Sequence, residues 1–217
     1  MSQAKGRQLS GRILTLTLIC AAILWIPAGR AEAALAMGPY LDLSSGDGSF
    51  EWDSDNFDFD VDSSSAAIGF ALDSAPTGPA NFNYRLNIGL ERQDLEDEFD
   101  DTLEMGGFVV ESVFGFALVH QQDFRWWAGP LVRIGFYSGE TDDYYDSNGY
   151  RSRTEADLFE LGLGVATGIN VRIGPHIYLA PSAGIRFIGA ASEGTVKNLD
   201  LHTEYEDDLS GAQPISS

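Results

Sequence analysis

The residues of this chain that could do chemistry are three histidines, one cysteine, a dense acidic run and a scattered set of arginines and glutamates. A Ser-His-acid or Asp-His site needs a histidine held beside a nucleophile or an acid in a pocket. His120 and His176 each sit next to a short turn, at Gln121-Gln122-Asp123 and Gly174-Pro175. His202 lies in an acidic segment with Asp200 and Glu204 close by. All three read as solvated loop histidines, and no catalytic set is predicted. Asp53, Asp55, Asp58, Asp60 and Asp62 form the densest acidic cluster. A calcium loop wants D-x-D-x-D-G spacing with a turn glycine. Here Phe57 breaks the spacing and no glycine follows. Phe57, Phe59 and Val61 instead alternate with Asp58, Asp60 and Asp62, as along a strand. The glycines open no helix, so they form no phosphate-binding loop. No metal and no cofactor is predicted.

The remaining charges fall into a pattern of period two. In 82–91, Phe82, Tyr84, Leu86, Ile88 and Leu90 share one face, against Asn83, Arg85, Asn87, Gly89 and Glu91 on the other. In 158–173, Phe159, Leu161, Leu163, Val165, Ile169, Val171 and Ile173 oppose Glu160, Gly162, Gly164, Ala166, Gly168, Asn170 and Arg172. Segments 124–137 and 176–187 repeat this, with Arg125, Arg133 and Arg186 on the polar side. Segments 65–73 and 103–120 follow it with more noise. Strict alternation over this length is a strand signal. Arg85, Glu91, Glu111, Arg133, Glu160, Arg172 and Arg186 thereby fall on one side, interleaved with glycines. Small residues there would make room for long side chains pairing across a narrow interior. A water-facing sheet would carry more lysine, serine and threonine, yet Lys197 is the one lysine after residue 36.

Residues 1–36 have a different character. Lys5, Arg7 and Arg12 precede the apolar run Ile13–Ile26, Pro27 ends it, and Ala31-Glu32-Ala33 and Ala34-Leu35-Ala36 each fit an A-x-A cleavage site. Fourteen apolar residues in a helix reach roughly 21 Å, short of a bilayer core of about 30 Å. The segment is therefore expected to be a secretory signal cleaved after Ala36, with Ala33 as the alternative. Cys20 lies inside it, preceded by Ile19 where a lipidation motif wants a small residue. The body is left with no thiol, hence no disulfide, no thiolate nucleophile and no cysteine metal site.

Of the 13 basic and 33 acidic residues in the chain, four and one lie in 1–36, which leaves nine and 32 and a net charge of −23 for the rest. That balance repels nucleic acid, and no nucleic-acid partner is predicted. No run after residue 36 is apolar enough for a membrane helix. Strands are expected near 37–50, 63–75, 82–93, 102–120, 124–140, 157–173 and 176–191. They are separated by short links (76–80, 121–123, 174–175) alternating with longer polar ones (51–62, 94–101, 141–156). Tyr40, Phe82, Tyr84, Trp126, Trp127 and Phe187 near the strand ends read as interfacial aromatics. Short turns on one side and long loops on the other, with such aromatics, fit a membrane barrel. A soluble sandwich would turn its apolar faces inward.

Both termini of such a barrel stay on one side, so an eighth strand is required. Either 197–205 supplies it within the acidic segment 192–217, or 192–211 is a fourth external loop and the closing strand lies outside this sequence. The second is preferred, because 197–205 is short and its outward face is less apolar.

With a signal sequence, about eight amphipathic strands over 37–191 and alternating link lengths, the chain resembles the small Gram-negative outer-membrane barrels. That group includes OmpA-type membrane domains, OmpX-like proteins and opacity-type adhesins. Its members end on an aromatic residue, whereas this chain ends Pro214-Ile215-Ser216-Ser217. The resemblance implies an all-β, antiparallel up-and-down transmembrane barrel of the cell outer membrane. It would be monomeric, surrounded by outer-membrane lipids and lipopolysaccharide, and handled by the barrel-assembly machinery during biogenesis. The expected role is structural or surface-interacting and non-enzymatic. A narrow, porin-like channel lined by the charged set is the alternative, and a lipid-modifying enzyme comes third. The acidic run 53–62 would at most attract divalent cations that bridge lipopolysaccharide phosphates.

Overall fold

The computed structural model describes residues 35–52, 57–97, 102–141, 144–145, 149–200 and 203–216. The expected signal segment, save its last two residues, lies outside them, as do Asp53, Asp55 and His202. Among the described residues there are eight long strands and no helix: β1 (Ala36–Trp52), β2 (Phe57–Asp73), β3 (Phe82–Asp97), β4 (Thr102–His120), β5 (Phe124–Glu140), β7 (Arg151–Arg172), β9 (Ser182–Asn198) and β10 (Thr203–Ser216). Two-residue bridges, β6 (Tyr144–Tyr145) and β8 (Tyr178–Leu179), pair with the two ends of β7.

All pairings are antiparallel and mostly join neighbours in sequence. β5 pairs with β7 along seventeen positions, from Phe124↔Val171 to Glu140↔Glu155. β1 pairs with β2 over its whole length and with β10 over only part of it, from Ser45↔Ser216 to Trp52↔Leu209. Each long strand therefore has a partner on both sides, but Ala36–Ser44 of β1 pair with β2 alone. The seam between β1 and β9 is bridged by β10 along one half and left open along the other.

The alternation sets which way each side chain turns, and β1 displays it without exception. Met37, Pro39, Leu41 and Leu43 are exposed, while Gly38, Tyr40, Asp42 and Ser44 are half-buried. On the outer face Met37, Leu41, Ile68, Phe70, Leu90, Leu163, Val165 and Phe187 each expose more than half of their surface. The enclosed face holds Arg85, Arg125, Arg133, Arg186, Glu91, Glu111 and Glu160, all buried. A water-soluble domain hides most large apolar side chains and exposes its charges; this sheet exposes a band of large apolar side chains and encloses charged ones.

Several expectations need correction. β2 begins at Phe57 and β7 at Arg151, so the long polar links expected at 51–62 and 141–156 are largely strand. Polar residues on both faces do not interrupt backbone pairing, and the hairpins run on past the apolar band. With those links shortened, the predicted contrast between short and long connections is lost. The last expected strand, 176–191, begins instead at Ser182, just after Pro181, whose carbonyl accepts from the Ile169 N–H. The intervening residues form β8, which folds back onto β7. The eighth strand is Thr203–Ser216, paired with β9 from Asn198 to Ile185. It replaces the short strand expected at 197–205 and the loop expected at 192–211.

The noise in 103–120 has a cause: the apolar Met105, Val109 and Val113 occupy the enclosed face. The register of β4 on β5 shifts between Ala117 and Val119, so Leu118 and Val119 are both exposed. This is a bulge, one extra residue inserted in one strand. Among the expected interfacial aromatics, Phe82, Trp126 and Phe187 are exposed on the outer face. Trp127 is enclosed at 1% exposure and Tyr40 turns inward.

Glycine on the enclosed face makes room for bulk, as expected. A Cβ on Gly168 would lie 2.6 Å from the Trp127 ring, and one on Gly135 would lie 2.6 Å from the Tyr137 hydroxyl. We expect Gly168→Val to overpack this layer and lower stability by about 1–3 kcal/mol, read as a lower urea midpoint. A matched Gly38→Val, whose Cβ would meet nothing within 4 Å, should move the midpoint far less.

Candidate functional site

The enclosed polar side chains form a column from the 74–81 end of the sheet towards the 98–101 end. At the first end Asp73, which closes β2, accepts from Arg85 of β3 at 3.1 Å (Nη2) and 3.3 Å (Nε). Arg85 also donates to Asn170 Oδ1 of β7 at 2.8 Å, and its guanidinium lies 5.0 Å from the centre of the Trp127 ring. Trp127 donates to the same Asn170 oxygen at 3.2 Å, and Asn170 Nδ2 donates to the Pro76 carbonyl at 2.7 Å. Arg125 reaches the carbonyls of Ala75 and Ala80. Together these bonds tie the 74–81 turn to the sheet floor. A planar guanidinium with five fixed donors is suited to this; one lysine ammonium could not serve as many acceptors.

Midway, Arg186 of β9 donates to Asp42 of β1 at 3.2 Å, to Glu111 of β4 at 3.4 Å and to Ser44 at 2.6 Å. Asn87 donates to Glu111 at 3.0 Å. In the next layer Arg133 of β5 pairs with Glu91 of β3 and donates to the Tyr137 hydroxyl at 3.0 Å. Tyr137 in turn donates to Glu91 at 2.9 Å. Glu160 is buried close to Arg133, Glu91 and Gln93. Beyond this layer the column ends in an apolar cluster of Val61, Leu95, Met105, Ala156, Leu158 and Ala190, with the Tyr137 ring.

Six of the seven residues predicted to share the interior (Arg85, Glu91, Glu111, Arg133, Glu160 and Arg186) lie there. Arg172 does not. It sits at the end of β7 with its side chain one-third exposed, paired with Asp123 at 3.3 Å and bonded to Tyr178 Oη at 3.0 Å. Sequence reading also left out Asp42, Asp73, Arg125, Asn170, Trp127 and Tyr137. Each occupies an inward position of the same alternation, so the parity that selected the others also marks these. What parity does not give is which strands face one another, since Arg186 and Asp42 are 144 positions apart.

Among the described residues, the enclosed ionic set is five carboxylates (Asp42, Asp73, Glu91, Glu111, Glu160) against four guanidiniums (Arg85, Arg125, Arg133, Arg186). Charges enclosed this way are sustainable only when paired and hydrogen-bonded. At the other end of the molecule the outer face is polar, with exposed pairs such as Arg92–Glu104 at 2.6 Å and Arg153–Glu140 at 2.9 Å. Among the described residues, no three His, Cys, Asp or Glu side chains are grouped to hold a metal ion. His120 and His176 are both exposed. No family model, curated protein or solved structure matches the chain.

The two kinds of pair should respond differently to truncation. Arg133→Ala strands Glu91 in an enclosed site and should cost about 3–5 kcal/mol of folding stability. Arg153→Ala, at the exposed pair with Glu140, should cost under about 1 kcal/mol. Denaturant titrations of the two variants beside the parent measure both.

Proposed function

We propose that the eight strands form a small transmembrane barrel in a Gram-negative outer membrane, and that its role is structural or surface-interacting rather than catalytic. The observation that carries this reading is the inversion of the sheet, with arginines and glutamates paired inside and leucine, isoleucine and phenylalanine exposed outside. Nine residues of β3, Phe82 to Leu90, reach roughly 23 Å along the normal at a strand tilt of about 40°, which matches an apolar band of about 25 Å. β5 pairs with β7, but β1 pairs with β10 along only half the seam; full closure is part of this proposal. Unpaired backbone in lipid costs several kcal/mol per group. Outside the band, Asp60, Asp62, Glu96, Glu104, Asp157 and Glu193 give the 98–101 end an acidic surface. We assign that end to the outside of the cell, where it would meet lipopolysaccharide or the environment.

The interior favours the structural reading over a channel. The Arg133–Glu91–Tyr137 layer and the apolar cluster beyond it block the interior towards the 98–101 end, in keeping with an eight-strand barrel, whose interior is just wide enough for side chains. In planar bilayers the refolded protein should therefore give no steady ohmic steps. Recurrent steps abolished by widening or neutralising the Arg133 layer would favour the channel instead.

The membrane reading itself is tested by Phe70→Arg. Phe70 is 67% exposed, so in water the change would be nearly neutral, whereas facing lipid it should cost about 2–4 kcal/mol. Equilibrium unfolding from lipid vesicles, with Asp62→Arg as control, measures it. A parent chain that stays monodisperse in buffer without detergent, and tolerates Phe70→Arg, would overturn the proposal.

A further inference from the structure

Where Ala36–Ser44 of β1 lack a second partner, a cavity of about 800 Å³ opens into the molecule. That volume is within the range of small-molecule sites, about 300–1,000 Å³. Its mouth lies between the first half of β1 and residues 176–184. Met37, Leu41, Ile177 and Leu179, all exposed, flank it. The opening is thus lateral, through the sheet wall, and faces the same surroundings as the outer apolar band.

Its inner walls differ in chemistry. One is apolar, built from Val113, Leu131, Ala166 and the Trp127 ring. The other carries Asp42, Glu111 and Asn87, with Asp73 and Arg85 deeper in. Three carboxylates line the cavity against one guanidinium, and Arg85 is already held by Asp73 and Asn170. Arg186, behind the wall at 1% exposure, is shared between Asp42 and Glu111. The carboxylates of one wall call for a cationic donor, and the wall opposite calls for an apolar body.

We propose that this cavity binds an amphipathic primary amine, which enters through the open half of the β1–β9 seam. The ammonium sits beside Asp42 and Glu111, and the aliphatic body lies along Val113, Leu131 and Trp127. An anionic amphiphile of the same length is rejected by the carboxylates. The lateral route of entry rests on the membrane reading above. The cavity and its selectivity for charge do not.

The test is a fluorescence titration of the folded full chain in octyl glucoside micelles, in a Trp126→Phe background that removes the outward indole beside Trp127. The probes are 11-bromoundecylamine, 11-bromoundecanol and 11-bromoundecanoate, whose bromine quenches a neighbouring indole. The partition of each probe into empty micelles is measured separately and corrected for, because head-group charge alters it. We expect saturable quenching by the amine, at least about tenfold tighter than by the acid, the worth of a single favourable charge contact of about 1.4 kcal/mol. Asp42→Asn should erase that preference. Leu131→Trp, which fills the apolar wall without changing charge, should abolish saturation, with folding checked by circular dichroism. Equal quenching by all three probes, or an amine preference that survives both variants, would overturn the proposal. Should the parent prove soluble without detergent, the same titration in buffer with short-chain probes still decides the binding site. A failure of the membrane reading is then told apart from a failure of this one.

Discussion

Four guanidiniums enclosed by a sheet each need a carboxylate, a carbonyl or an amide oxygen within reach, and that need organises this molecule. Arg85, Arg125, Arg133 and Arg186 come from β3, β5 and β9, and they bind groups on β1, β2, β3, β4, β7 and the 74–81 turn. The contacts cross the interior as well as following the ladder, so they fix which strands face one another. They also dictate composition. Glycine must stand where a ring or guanidinium passes, as at Gly135 and Gly168. The bulky apolar side chains that a core would otherwise absorb are turned to the outside.

This arrangement is unusual in how its stability is divided. A soluble domain gains most from burying apolar surface, whereas here much of that surface stays on the outside and polar and charged groups make up about half of what is buried. Paired charges in a medium of low polarity hold one another firmly but lose much when one partner is removed. Backbone pairing supplies the rest, in registers of thirteen to seventeen positions between most neighbouring strands. The apolar cluster around Met105 and Leu95 is the part of the interior that resembles an ordinary core, and it lies at the end where the outer face turns polar.

Much of the architecture can be read in the sequence because one rule, parity along a strand, governs it. Phe82 through Glu91 state the rule without an exception, and six of the seven predicted interior charges lie where it puts them. Arg172 obeys the parity too, yet it lies outside because β7 has reached the end of the enclosed column there. Parity carries no information on how far a column extends. The strand limits near Phe57 and Arg151 were missed for a related reason: polar residues on both faces look like loop, although nothing in their chemistry forbids a paired hairpin. Apolar residues on the enclosed face, Met105, Val109 and Val113, blurred an otherwise regular strand, and the partnership of Asp42 with Arg186 depends on curvature that no local pattern encodes.

The ladder between β1 and β2 has a consequence for how the chain reaches its final form. Ala36 to Trp52 face Asp73 to Phe57 one to one. Because neighbouring side chains point to opposite faces, rotating either strand by one position exchanges every inside residue for an outside one. Asp42 and Asp73 would then stand among hydrocarbon side chains, and Leu41 and Phe70 would crowd the arginines. No intermediate arrangement satisfies half the rungs. The two-residue repeat therefore acts as a proofreading device, under which a hairpin is either wholly right or wrong at every position, and a wrong one has little to hold it together while it searches again.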